Sequence, residues 1–115
     1  MSLIPVSDQA EIDAALRLPR AWILKHSTAC PISGAAYGEV RAYADAHPDE
    51  PVSVIVVQTH RPISNWLAQK LNAVHQSPQL FLVENGAVRW QTTHWSITAA
   101  AMERAAAAPA KQPKA

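Results

Sequence analysis

The sequence has a single cysteine, Cys30, in 115 residues. No disulfide can close within the chain, and one chain cannot build a multi-cysteine zinc or iron–sulfur cage. Excess charge is equally scarce: ten Lys and Arg against nine Asp and Glu leave a formal charge of +1, far from the basic surplus that neutralises a row of phosphates. Nucleic acid is not an expected partner. No apolar run nears the roughly 18 residues that span a bilayer, so no membrane partner is expected either. Met1 to Glu11 carries Asp8 and Glu11 and lacks the basic start and apolar stretch of a secretory signal, which makes the cytoplasm the expected address. No dinucleotide fingerprint occurs. What is present is an ordinary globular composition, 49% hydrophobic and 17% charged, close to the usual half apolar. The length fits one domain at roughly 150 residues each.

Asp8 to Arg17 reads as an amphipathic helix capped by Ser7 or Asp8, with Ile12, Ala15 and Leu16 at helical spacing and Pro19 beyond its end. Ala21 to Leu24 is an apolar run too short for three turns and suits a buried strand. From Pro31 the set Ile32, Ala35, Ala36, Val40 and Tyr43 keeps to one helical stripe, which stops by His47 and Pro48. Val52 and Val54 to Val57 are β-branched and nearly continuous, as in a parallel strand covered on both faces. Pro62 suits a first helical position, with Ile63, Trp66, Leu67 and Leu71 inward as far as Asn72. Leu80 to Val83 runs to Asn85-Gly86, a pair suited to a type I′ turn, and Val88 to Trp90 returns antiparallel. Ser96 can cap a last helix with Ile97, Ala100, Ala101 and Ala105 inward. Residues 1–108 are expected to form one domain, and 109–115, in the sequence APAKQPKA beyond Ala107, a disordered tail.

After the first helix the order is β-α-β-α-β-β-α, with no internal repeat. A right-handed βαβ unit followed by a helix and a hairpin is the thioredoxin-like arrangement, here an α/β fold expected to have a four-stranded mixed sheet flanked by helices and an extra N-terminal helix. This topology gathers four segments at one sheet edge: Ser27 to Cys30, Thr59 to Pro62, Ser77 to Gln79, and Thr93 to Trp95. Ligands in open α/β sheets bind beyond strand carboxyl ends.

A lone cysteine is most often a small buried hydrophobe, but Cys30 falls between a strand and a helix and is followed by Pro31. A sulfur at a helix's first turn meets unpaired N–H groups that favour thiolate. Such settings bring a thiol from a pKa of about 8.5 into the range of about 3.5 to 7.5. At a pKa of about 6 the thiolate fraction at pH 7 rises from about 3% to about 90%, while a Brønsted slope near 0.45 removes about 13-fold in nucleophilicity. The net gain in attack is only about twofold. A better leaving group is the larger consequence, which suits a sulfur that accepts a thiol adduct and gives it up again. Cys30-Pro31-Ile32-Ser33 has C-x-x-C spacing with serine in the second place, so the resolving thiol is missing. The chemistry is therefore that of mixed disulfides. Ser33 could donate to the thiolate or help cap the helix.

His26, Ser27 and Cys30 to Ser33, within HSTACPIS, resemble the YtxJ-like monothiol bacilliredoxins. Arg61-Pro62-Ile63-Ser64-Asn65, His75-Gln76-Ser77-Pro78-Gln79, and Trp90 with Thr93-His94-Trp95 extend the resemblance over roughly Ala21 to Ala105, although Ala29 stands where the family usually has threonine. The resemblance implies a thioredoxin fold and thiol transfer with bacillithiol, a small thiol built from cysteine, glucosamine and malate. It implies no bound cofactor, with bacillithiol as co-substrate. Cys30 would attack a protein–bacillithiol mixed disulfide, release the protein thiol and keep the adduct until a second bacillithiol resets it. The implied partners are bacillithiolated proteins, bacillithiol and, indirectly, a separate NADPH-dependent bacillithiol disulfide reductase. Pro31, Ser33, Ser77 and Pro78 would shape the site, Pro78 matching the fold's cis-proline by position. Ser27, Thr28, Arg61, Gln79, His94 and Trp95 are the candidates for contact with bacillithiol. Arg61 is either a solvated loop charge or a partner for the malate carboxylates. The five histidines show no close ligand spacing, so no metal site is expected, and Trp22, Trp66 and Trp90 read as core. The alternatives are a thioredoxin-like binding module, a glutaredoxin-like iron–sulfur carrier shared between two chains, and a cysteine modified only for protection.

Overall fold

The computed structural model describes residues 3–29 and 31–108, so the assignments made for Cys30 and for the tail at 109–115 fall outside the described residues. The elements are β1 Leu3–Pro5, α1 Gln9–Leu16, β2 Arg20–His26, α2 Pro31–Ala46, β3 Val52–Val56, α3 Arg61–Lys70, β4 Gln79–Glu84, β5 Ala87–Thr93 and α4 Ala99–Ala107, with a 3-10 turn at His94–Ser96. The sheet has five strands in the order β1-β3-β2-β4-β5. β1 and β2 both pair parallel to β3, β4 is antiparallel to β2, and β5 is antiparallel to β4.

The expected four-stranded sheet is thus corrected to five. The added strand is three residues long and ends in Pro5, too short for an alternation signal and tolerable only at a sheet edge, where a missing N–H breaks no ladder. β1 occupies that edge. The thioredoxin-like order of the remaining strands and helices stands, as does the additional N-terminal helix.

Side chains alternate across the central strands, and each face carries its own core. Trp22, Leu24, Leu80 and Leu82 face Val40 and Tyr43 of α2 and Met102 and Ala105 of α4. Ile23, Ile55, Phe81 and Val83 face Ile12 and Leu16 of α1 and Leu67 of α3. Burial on both sides explains why β2, β3 and β4 read as unbroken apolar runs. Trp22 is fully buried, while Trp66 and Trp90 are partly buried against the two cores.

Local chemistry sets the ends. Asp8 accepts the Glu11 N–H at 2.9 Å and so caps α1. Asn85 and Gly86 take φ values of 53° and 81°, the double left-handed conformation of the expected I′ turn. Three details differ from expectation. Pro62 is the second residue of α3, after an N-cap at His60. Ala35 of α2 is exposed, and Ala44 joins the buried stripe instead. Thr98, not Ser96, caps α4 by accepting the Ala101 N–H at 3.0 Å. That later start turns Ala100 outward and Met102 inward.

Candidate functional site

Strand register brings the site segments together. His26 lies opposite Val56, Lys25 opposite Gln79, and Gln79 opposite Thr93. The carboxyl ends of β2, β3 and β5 and the start of β4 therefore share one edge. Cys30 lies in the sequence between Ala29 and Pro31, and Pro31 opens α2 at this edge.

The stretch after β2 is held from two sides. Ser33 is fully buried, and its Oγ accepts the Ser27 N–H at 3.2 Å. An accepting hydroxyl keeps its own proton for donation. Gln58, just after β3, accepts the Thr28 N–H with Oε1 at 3.2 Å and donates from Nε2 to Ser27 Oγ. Ser27 and Thr28 are thereby tied to the β3–α3 connection. The ring of His26 lies 4.9 Å from that of Tyr37 on α2. Burial lowers its pKa, against a backbone hydrogen bond at Ser33 that raises it.

The Ser77–Pro78 bond is cis, and Pro78 is buried. Its carbonyl accepts the His94 N–H at 3.1 Å, and His94 itself has a left-handed φ of 53°. The end of β5 thus clamps the loop before β4, with Trp95 beside it and 68% exposed. Gln79 is buried and fully occupied inside the protein: Nε2 donates to Val74 O at 3.1 Å and Gln91 Oε1 at 3.0 Å, while Oε1 accepts the Gln76 N–H at 3.1 Å. It braces the loop. Arg61 is exposed at the start of α3. Ser77 Oγ and His26 Nδ1 are buried with no hydrogen-bond partner among the described residues, which marks them as sites for an additional polar contact.

The sequence profile of the family of the monothiol bacilliredoxin BrxC matches residues 4–102. The chain belongs to the monothiol bacilliredoxin family. This bacilliredoxin is also similar to a solved structure described as an oxidoreductase with a thioredoxin fold, at 29% identity and a TM-score of 0.85, over 91% of this chain and 94% of the other. Mitochondrial thioredoxin 3 from Saccharomyces cerevisiae, oxidised form, matches at 15% identity and a TM-score of 0.72, over 90% and 92% of the two chains. Oxidised thioredoxin from Plasmodium falciparum matches at 10% identity and 0.72, over 90% and 93%. The last two show the fold alone. Family membership and the similarity to an oxidoreductase of the same fold together give the bacilliredoxin a thiol redox function.

Two residues around this edge escaped the sequence reading, Gln58 and Lys25, and His75 entered it only as part of the segment before Ser77. Lys25 lies inside β2 with no exposed surface, and its Nζ is hydrogen-bonded to His75 Nδ1 in the loop before Ser77. The signal for Lys25 was available, since a lysine one residue beyond Trp22-Ile23-Leu24 continues a strand that is buried on both faces. Gln58 and His75 sit in loops, where no periodicity marks them. A cleft of about 300 Å³ lined by Leu18, Trp22, Glu50 and Pro51 opens at the opposite ends of β2 and β3 and is remote from this edge. No helix among the described residues is long and apolar enough to cross a membrane.

Proposed function

We propose that this bacilliredoxin removes bacillithiol from protein mixed disulfides through Cys30, in the cytoplasm. In the first step the Cys30 thiolate attacks the bacillithiol sulfur of the mixed disulfide. A Cys30–bacillithiol disulfide forms, the S–S bond between the protein sulfur and the bacillithiol sulfur breaks, and the protein leaves as a thiolate that takes a proton from water. A second bacillithiol thiolate then attacks the bacillithiol sulfur of the adduct, which releases Cys30 as thiolate and yields bacillithiol disulfide. A separate NADPH-dependent reductase returns that disulfide to the thiol pool.

The observation that carries this reading is the pairing of one cysteine with a buried serine three residues on. Ser33 holds the Ser27 N–H and has no sulfur with which to resolve an adduct. The exchange therefore stops at a mixed disulfide until an outside thiol arrives. The cis Ser77–Pro78 loop and the Ser27–Thr28 backbone, both fastened to the sheet edge, supply rigid walls. Ser77 Oγ and the exposed Trp95 are the wall groups offered to the adduct.

The test is release of bacillithiol from a bacillithiolated test protein in the presence of bacillithiol. Wild-type protein is expected to turn over, and Cys30→Ser to be inactive. A serine variant with full activity would overturn the mechanism.

A further inference from the structure

We infer that Gln58 is a positioning residue for thiol exchange: its amide stands in for the next peptide of β3 and locks Ser27 and Thr28, the exit of β2, in place. The inference rests on the function proposed above and names a residue on which its rate depends.

The parallel ladder between β2 and β3 ends at the pair His26 and Val56. One more backbone bond follows, from the Val57 N–H to the His26 carbonyl at 2.9 Å. The β3 chain then turns away, closed by the His60 N–H on the Val56 carbonyl at 3.0 Å. Gln58 continues the ladder with its side chain. Its Oε1 accepts the Thr28 N–H at 3.2 Å, as a strand carbonyl would, and its Nε2 donates to Ser27 Oγ at 2.5 Å. A backbone N–H can only donate, so the amide oxygen must face Thr28 and the amide nitrogen Ser27. Ser27 is held from the other side too, because its N–H goes to the Oγ of the buried Ser33 on α2 at 3.2 Å.

Gln58 is itself exposed and belongs to neither hydrophobic core. Holding a long polar side chain in one rotamer also costs conformational entropy. Its two bonds therefore add little to the stability of the whole fold and act on the segment they hold. Only Ala29 and Cys30 lie between Thr28 and Pro31, the first residue of α2. Two residues that join two fixed ends have little freedom, so the bond at Thr28 limits where the reacting sulfur can be. Small misplacements of reacting groups cost rate steeply.

Amide hydrogen exchange, kinetics and urea unfolding of two variants test this. In Gln58→Ala the Thr28 amide is expected to exchange about fivefold faster, the equivalent of one neutral hydrogen bond. Release of bacillithiol from a bacillithiolated test protein should fall about tenfold in kcat with KM unaltered, while the urea midpoint stays at the wild-type value. A side chain acting only through stability would instead move the midpoint and leave kcat of the folded protein alone. In Gln58→Glu the carboxylate can accept both the Thr28 N–H and the Ser27 hydroxyl, so the Thr28 amide should stay protected as in wild type. Thr28 protection unaltered in Gln58→Ala overturns the inference. So does a wild-type kcat in that variant, and either result leaves the proposed function standing. Wild type that releases no bacillithiol overturns the proposed function and the positioning role with it.

Discussion

An ammonium buried with no exposed surface and no carboxylate beside it costs stability, because water solvates the charge better than an imidazole nitrogen does. The depressed value of about 8 for Lys25, against 10.5 when exposed, corresponds to roughly 3 kcal/mol. Losing the hydrogen bond to His75 would forfeit about 1 kcal/mol. Lys25→Met is therefore expected to stabilise the fold by roughly 2 kcal/mol at pH 7 in urea unfolding. The pH dependence follows: between about 8 and 10.5 the unfolded chain binds the lysine proton and the folded one does not, so stability rises with pH there. The methionine variant should lose that rise. Ser33 invites a second residue-scale test. Ser33→Cys restores C-x-x-C spacing and should convert the bacillithiol adduct into an internal disulfide, seen as loss of the adduct mass. Persistence of the adduct would show that spacing alone does not set the resolving step.

At the level of elements, the sequence was read best where burial and periodicity agree. Val52 to Val57 and Leu80 to Val83 gave their strands directly, and Asn85-Gly86 gave the turn with both φ values positive. The order of elements then placed four segments at one edge, and the registers of His26, Lys25 and Gln79 bring them there. Reading failed where a tertiary partner decides. Leu3–Pro5 becomes a strand only because β3 offers an edge. The partners of the Gln79 amide, Val74, Gln76 and Gln91, are likewise not visible in the sequence. The start of α4 is a smaller case, since Ser96 and Thr98 are both good caps and the 3-10 turn at His94–Ser96 settles the choice. Thr98→Ala should cost about 1 kcal/mol in thermal or urea unfolding, and Ser96→Ala close to nothing.

Across the whole molecule, α2 and α4, which share one sheet face, are tied together by residues remote from the site. His47, at the end of α2, pairs with Glu103 of α4 at 2.8 Å and with Glu50 at 3.7 Å, and stacks on Tyr43. Its pKa is raised, first by the hydrogen bond to Glu103. A histidine with a raised folded value contributes stability that is fully present below its unfolded value of about 6.5 and is lost as pH rises through the folded one. His47→Gln should flatten that part of the stability profile, and an unchanged slope would remove His47 from the account. This tie lies at the far ends of the strands, so the variant should leave thiol exchange intact. Exchange itself depends on Cys30 carrying the transferred thiol. The most direct test is the intact mass of wild-type protein and of Cys30→Ser after exposure to a bacillithiolated test protein. Wild type is expected to gain one bacillithiol and lose it on addition of fresh bacillithiol, and Cys30→Ser to gain nothing. An adduct of the same mass on the serine variant would contradict the account.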